Sequence, residues 1–252
     1  MKRNILYLAG STAALEAARV QLDRRGCRIV GQPCKEVTHL LLPVPSFDEA
    51  GQIKGGGCLD ALLPLLPENV TILGGNLTGP ELCGYHTVDL LKHPGYVAKN
   101  AAITAHCAIK QAMALLPVTL EECPVLVVGW GRIGKCLARL LRALDAEVTV
   151  AARKEADRAM LQALGYQTDP LNQLHRTLDR FRLIFNTVPA PVISAEAAAL
   201  CRADCIKIDL ASSQGIAGSD VIWARGLPSK DTPESSGALI AQTVLNILAG
   251  KE

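Results

Sequence analysis

Aromatic residues are scarce in this 252-residue chain, with two Trp, four Tyr and three Phe. A core must therefore come from the aliphatic residues that bring the hydrophobic share to 49%, and Ala, Leu, Val and Ile in layers suit helices packed on a parallel sheet. Neither sign of charge dominates. The 26 basic and 24 acidic side chains leave a net +2, which excludes the electrostatic footprint of a sequence-independent nucleic-acid or membrane binder and favours a small-molecule partner. No apolar run approaches the ~20 residues of a membrane span. Met1-Lys2-Arg3 leads only into the apolar residues 5–9, too few for a signal h-region, and the expected location is the cytoplasm. Nine cysteines (27, 34, 58, 83, 107, 123, 136, 201 and 205) include no Cys-x-x-Cys pair. Reduced, mostly buried thiols are expected. Cys201 and Cys205 have no His or second pair to complete a metal site, so no metal is assigned.

What is present is an alternation of short apolar runs with helical patterns. In the first hundred residues it predicts strands at 5–9, 28–30, 39–42 and 71–73 and helices at 13–24 and 59–66. Residues 43–51 and the triplet Gly55-Gly56-Gly57 form loops. An Ala-rich helix over 99–116 ends at Pro117. A second series follows: strands at 125–128, 147–151, 183–185, 206–209 and 221–223, with helices at 133–144, 154–164 and 195–201. A last helix is expected at 233–248. The fold class is α/β, two Rossmann-like domains, the C-terminal one an NAD(P)-binding doubly wound parallel sheet. The expected division is an N-terminal flavodoxin- or Rossmann-like domain at 1–98, a bridging helix at 99–117, the dinucleotide domain at 118–232, and a helix at 233–252 that packs back on the first domain.

The second series carries Gly129-Trp130-Gly131-Arg132-Ile133-Gly134 between an apolar strand and an amphipathic helix, the context that a dinucleotide fingerprint requires. Gly129 permits the tight turn, Gly131 lets the backbone approach a pyrophosphate, and Gly134 lets the helix pack on the strand. The next strand ends at Ala152-Arg153-Lys154, where an NAD-specific protein usually places a carboxylate for the ribose hydroxyls. Arg153 suits a 2′-phosphate, so NADP is expected over NAD. Later strand ends bring Asn186-Thr187-Val188-Pro189 and Asp209-Leu210-Ala211-Ser212-Ser213 to the same edge. Asn186 and Thr187 are candidates for the ribose or carboxamide, Val188 and Pro189 for apolar cover, and Asp209 either for the ribose or for capping its turn.

These motifs in order, from Val125 to Gly250, together with Gly226-Leu227-Pro228 and the segment from Pro233 to Gly237, resemble the A-subunit family of dipicolinate synthase from spore-forming bacteria. The first half is similar mainly at Leu41-Leu42-Pro43-Val44 and in the helix from Thr104 to Ile109. The resemblance implies oxidation of a dihydrodipicolinate-type substrate with hydride passing to NADP, a flavoprotein-like partner known as the B subunit, and work in the mother cell during sporulation. Where the family continues Arg-Pro-Gly-Gly after Ala211-Ser212, this chain reads Ser213-Gln214-Gly215-Ile216, without the guanidinium suited to a substrate carboxylate.

Asn76, Ser213 and Lys230 are the candidate substrate-binding residues, and His106, Ser212 and Thr104 the candidate catalytic ones. His106 is the preferred general base, because an imidazole titrates near neutrality. His86, His93 and His175 have no motif context, and His39 heads a buried strand. A homo-oligomer is expected. Two rival readings are a 2-hydroxyacid dehydrogenase-like oxidoreductase and a regulatory, non-catalytic subunit that binds NADP.

Overall fold

The computed structural model describes residues 4–250. In chain order its strands and helices begin with β1 (Ile5–Leu8), α1 (Ala13–Arg24), β2 (Arg28–Val30), β3 (His39–Leu41), α2 (Leu59–Leu62), β4 (Thr71–Gly74), β5 (His86–Asp89) and α3 (Pro94–Leu115). They continue with β6 (Pro124–Val128), α4 (Arg132–Arg142), β7 (Glu147–Ala152), α5 (Glu155–Ala163), β8 (Gln167–Pro170) and β9 (Leu183–Asn186). The chain closes with α6 (Ala195–Ala198), β10 (Ile206–Asp209), β11 (Val221–Trp223), α7 (Leu227–Asp231) and α8 (Pro233–Leu248). Two compact units result: one ends at Asn100 and resumes at Pro228, and the other runs Ala101–Leu227.

The first unit holds a parallel sheet in the order β2-β1-β3-β4-β5, the flavodoxin-like arrangement. Thr12 caps α1 by accepting from the Leu15 amide at 3.2 Å, and Leu15, Ala18 and Leu22 put one stripe of the helix inside. Leu40, Leu42 and Ile72 pack with Leu59, Leu63 and Leu66 in a single apolar cluster. The last helix returns to this unit. Gly237 of α8 lies so close to Ala14, Ala17 and Ala18 of α1 that a Cβ would stand 2.5 Å from that of Ala17.

The second unit holds a six-stranded parallel sheet in the order β11-β10-β9-β6-β7-β8. Numbered within the unit, this is the 3-2-1-4-5-6 order of a dinucleotide-binding sheet, read from its other end. Both faces are covered. Val125 and Val127 face a cluster with Ala105, Ala108 and Ala112 of α3 and Leu137 and Leu141 of α4. Leu126 and Val128 face another with Leu174, Phe181 and Ile193. That two-residue alternation, apolar on each side, is why the strand reads as an unbroken hydrophobic run.

Several expected elements differ. The helix expected at 59–66 is one α-turn followed by a 3-10 turn at Leu63–Leu65, because Pro64 has no amide to extend the ladder. Helix α3 starts at Pro94, five residues before the expected position, with His93 Nδ1 accepting from the Tyr96 amide at 3.2 Å. Helix α6 ends at Ala198 instead of Cys201. All nine cysteines are free, but only Cys107, Cys123 and Cys205 are buried. Cys58 and Cys83 are exposed because they sit in connecting segments. No helix among the described residues is long and apolar enough to cross a membrane.

Candidate functional site

The order of the second sheet reverses between β6 and β9, and the crevice outside the carboxyl ends at such a switch point is where ligands bind in open α/β sheets. Here that crevice is a pocket of about 290 Å³ lined by Gly129, Trp130, Gly131, Ala151, Ala152, Arg153, Lys154, Asp157, Leu171 and Val188. The glycine loop, the end of β7 and the loop after β9 therefore meet in one cavity.

Each motif glycine has its own reason. Gly129 adopts φ +103°, and a Cβ there would press on Thr187 Oγ1 at 2.6 Å and on Val188. Gly134 packs against the β6–α4 turn so tightly that a Cβ would overlap the Gly129 carbonyl oxygen. At Gly131 a Cβ would meet nothing within 4 Å. Its lack of a side chain serves no protein contact and leaves open space beside the first turn of α4. No side chain caps that helix, so its leading amides remain available to an anion. Arg132 stands exposed on that turn, while Ile133 packs on the core. A cradle that a methyl group would fill, beside uncapped amides and cations, fits a dinucleotide pyrophosphate.

The rim is braced by residues outside the sequence-level site. Arg158 Nη1 donates to the carbonyls of Ala152 and Arg153 at 3.0 and 2.9 Å, holding the β7–α5 turn. Trp130 meets Tyr166 edge-on, with ring centroids 6.0 Å apart, and Lys135 lies 5.6 Å from the Trp130 ring. Arg153 and Lys154 are exposed. Asp157, on the first turn of α5, adds one carboxylate to the lining. Sequence reasoning passes over it because the residue sought for the ribose stands at the strand end itself, and Asp157 comes a helical turn later.

The loops after β9 and β10 correct part of the expectation. Asp209 is completely buried. Its Oδ1 accepts from Ala211 N and Asn186 Nδ2, both at 3.0 Å, and its Oδ2 from Gly215 N at 2.7 Å and Ile216 N at 3.0 Å. Four donors saturate a carboxylate, so Asp209 caps its turn and has no acceptor left for a ribose. Asn186 is also fully buried. Its amide joins Asp209 to the Val188 carbonyl at 3.0 Å and its Oδ1 accepts from the Val188 amide at 3.0 Å. Asn186 therefore shapes the pocket from beneath. Thr187 donates its hydroxyl to the Val128 carbonyl at 2.9 Å, and Pro189 is exposed. Leu210 and Ala211 are buried, the Ala211 carbonyl accepting from Trp223 Nε1 at 3.0 Å; they support the wall without lining it.

The catalytic candidates come from two places in the chain, α3 and the turn after β10. Thr104 is buried on α3 and His106 is exposed, as expected for helix positions two apart. Ser212 and Ser213 are exposed in the turn after β10. Asn76, at φ 55°, and Lys230, on α7, belong to the other unit. Among the described residues no group of three or more His, Cys, Asp or Glu side chains is placed to hold a metal ion.

Comparison with known proteins agrees with this geometry. The family model described as D-isomer specific 2-hydroxyacid dehydrogenase, NAD binding domain, matches residues 91–222, and the cofactor of such a domain is a nicotinamide dinucleotide. The A subunit of dipicolinate synthase from Bacillus subtilis (strain 168) is 27% identical over 175 residues, 64% of this chain and 57% of that protein, so the match spans little more than half of this relative. The crystal structure of the corresponding A subunit from Bacillus halodurans superposes with a TM-score of 0.85 at 22% identity, covering 99% of this chain and 98% of the other. A transhydrogenase from Sinorhizobium meliloti gives 0.73 at 13% identity, covering 98% and 94%. At these identities the two structures establish the fold. From the glycine cradle, the strand order and these matches together, the chain belongs to the family of D-isomer specific 2-hydroxyacid dehydrogenase NAD-binding domains, as a divergent relative of the dipicolinate synthase A subunit.

Proposed function

We propose that this chain is an NADP-dependent oxidoreductase that converts a dihydrodipicolinate-type cyclic dicarboxylate to its aromatic product, working in the cytoplasm of a sporulating mother cell beside a flavoprotein-like B subunit. The reading rests on one observation above others: the pocket at the end of β7 carries Arg153 and Lys154 against the single carboxylate of Asp157. Two cations and one anion favour a ribose 2′-phosphate dianion over a bare hydroxyl.

Bound NADP supplies the hydride acceptor. The chain supplies the rest. Gly131 and the α4 amides receive the pyrophosphate, Arg153 and Lys154 the 2′-phosphate, and Val188 gives apolar cover. Ser212 and Ser213 offer hydroxyls to a substrate carboxylate, Thr104 is a polar group of α3, and His106 takes the ring proton. The loop Ser213-Gln214-Gly215-Ile216 has no guanidinium, and this one observation favours a second reading, a regulatory subunit that binds NADP and leaves the chemistry to its partner.

Absorbance of NADP reduction with freshly generated dihydrodipicolinate, with and without the flavoprotein-like partner, separates the two. Turnover to dipicolinate supports the oxidoreductase, and His106→Gln should then lower kcat at least tenfold with little change in NADP affinity. NADP binding without turnover in either mixture supports the regulatory reading.

A further inference from the structure

The loop after β11 sets a cation beside a turn that has none. Residues 211–216, which follow β10, contain no Lys, Arg or His. Strands β10 and β11 end in step, with Asp209 opposite Trp223 and the Ala224 amide donating to the Asp209 carbonyl at 2.8 Å. Trp223 reaches across to the turn, its Nε1 donating to the Ala211 carbonyl at 3.0 Å, one residue before Ser212. Arg225 lies over that indole, its Cζ 4.9 Å from the ring centroid. A chain of contacts therefore runs from the turn through Trp223 to Arg225, all within the unit that holds the cofactor pocket.

Arg225 is exposed, and among the described residues no carboxylate lies within ion-pair distance of it. A guanidinium packed by its face on an aromatic ring keeps its N–H donors, which lie in its own plane, open to an anion. The stack also reduces the side-chain freedom that an arginine gives up on binding. The result is a pre-oriented fork of the kind that matches a carboxylate. The sheet order β11-β10-β9-β6-β7-β8 puts Arg153, after β7, and Arg225, after β11, on opposite sides of the glycine loop after β6. With the 2′-phosphate assigned to the end of β7, the loops after β10 and β11 border the side left for the nicotinamide and the substrate.

We propose that Arg225 is a substrate-binding residue that pairs with one carboxylate of the cyclic dicarboxylate, beside the Ser212 and Ser213 hydroxyls. The assignment rests on the function proposed above, and it supplies from the next strand the guanidinium that residues 213–216 lack. Trp223 acts through Arg225 as a positioning residue: its ring face seats the guanidinium, and its indole N–H holds the same ring to the turn that carries the two serines.

Calorimetric titration of dipicolinate into the full chain, saturated with whichever of NADPH and NADH it binds more tightly, tests this by reading binding without turnover. Arg225→Gln should weaken dipicolinate about 10- to 100-fold, the value of a charge-assisted contact, and leave cofactor affinity and the urea midpoint unchanged. Arg225→Lys should recover part of the loss, because an ammonium keeps the charge without the fork. Trp223→Leu should weaken dipicolinate with Arg225 intact, and Trp223→Phe, which restores a ring face, should bind it more tightly than Trp223→Leu does. In the unsubstituted chain dipicolinate should shield Arg225 from phenylglyoxal, read by mass spectrometry, a result that depends on no variant folding. Equal dipicolinate affinity in Arg225→Gln and the unsubstituted chain, or unaltered labelling of Arg225 while dipicolinate is bound, would overturn the assignment and leave the proposed function standing. Dipicolinate binding to none of the forms would remove the proposed substrate and the assignment together.

Discussion

Asp209 shows how a residue at a binding edge can serve the fold instead of the ligand. Its carboxylate accepts from four N–H donors, and it fixes the loop that ends at Ile216. Asp209→Asn keeps the shape but replaces one acceptor oxygen by an NH2 group, leaving buried amides to face a donor. The expected loss is at least ~2 kcal/mol in urea unfolding; unchanged stability would mean that the loop does not depend on this cap. The glycines separate fold from ligand in the same way. Gly131 has an extended backbone, φ −80° and ψ −169°, with open space around it, so Gly131→Ala should leave stability within about 0.5 kcal/mol while dinucleotide affinity falls tenfold or more. Gly134→Ala should instead cost about 1–3 kcal/mol through overlap with the Gly129 carbonyl, more than the ~1 kcal/mol that alanine gains over glycine in a helix. Calorimetry and cofactor titration of both variants would expose a reversal. The sequence displays these three glycines and their separate duties. It does not display the fate of Asp209, because whether a carboxylate caps or binds depends on Gly215 and Ile216 folding back over it.

At the scale of elements, the close approach of α1 and α8 depends on small residues. Gly237 lies 2.6 Å from Ala18 N and 2.7 Å from the Ala14 carbonyl, measured from where its Cβ would be, so a methyl group has no space. Gly237→Ala should destabilise the chain by about 1–3 kcal/mol without altering cofactor affinity, measured by urea unfolding beside a titration. An affinity loss with intact stability would refute the structural role. Most elements of both sheets are legible because their strands carry apolar runs and their helices carry a stripe. Strands β5 and β8 are not. Their sequences, His86-Thr87-Val88-Asp89 and Gln167-Thr168-Asp169-Pro170, have neither the alternation nor the run that marks a strand. They are edge strands whose geometry comes from β4 and β7, each of which pairs with one of them. The 3-10 turns at Leu171–Arg176 and Leu178–Arg180 are equally silent, since short helices of this kind carry too few residues for a period.

At the scale of the molecule, a near-neutral chain sets two adjacent cations, Arg153 and Lys154, in the pocket at the end of β7. The Arg158 guanidinium braces the backbone of that turn through the Ala152 and Arg153 carbonyls. On the proposed function, that pocket receives a nicotinamide dinucleotide whose ribose carries a 2′-phosphate. Calorimetric titration of NADPH and NADH into the unsubstituted chain and into Arg153→Ala tests this most directly. The expected result is tighter binding of NADPH than of NADH, with Arg153→Ala weakening NADPH by about 10- to 100-fold, the value of a charge-assisted contact, and NADH by much less. Equal or tighter binding of NADH, unmoved by Arg153→Ala, would contradict it and give the ribose to Asp157.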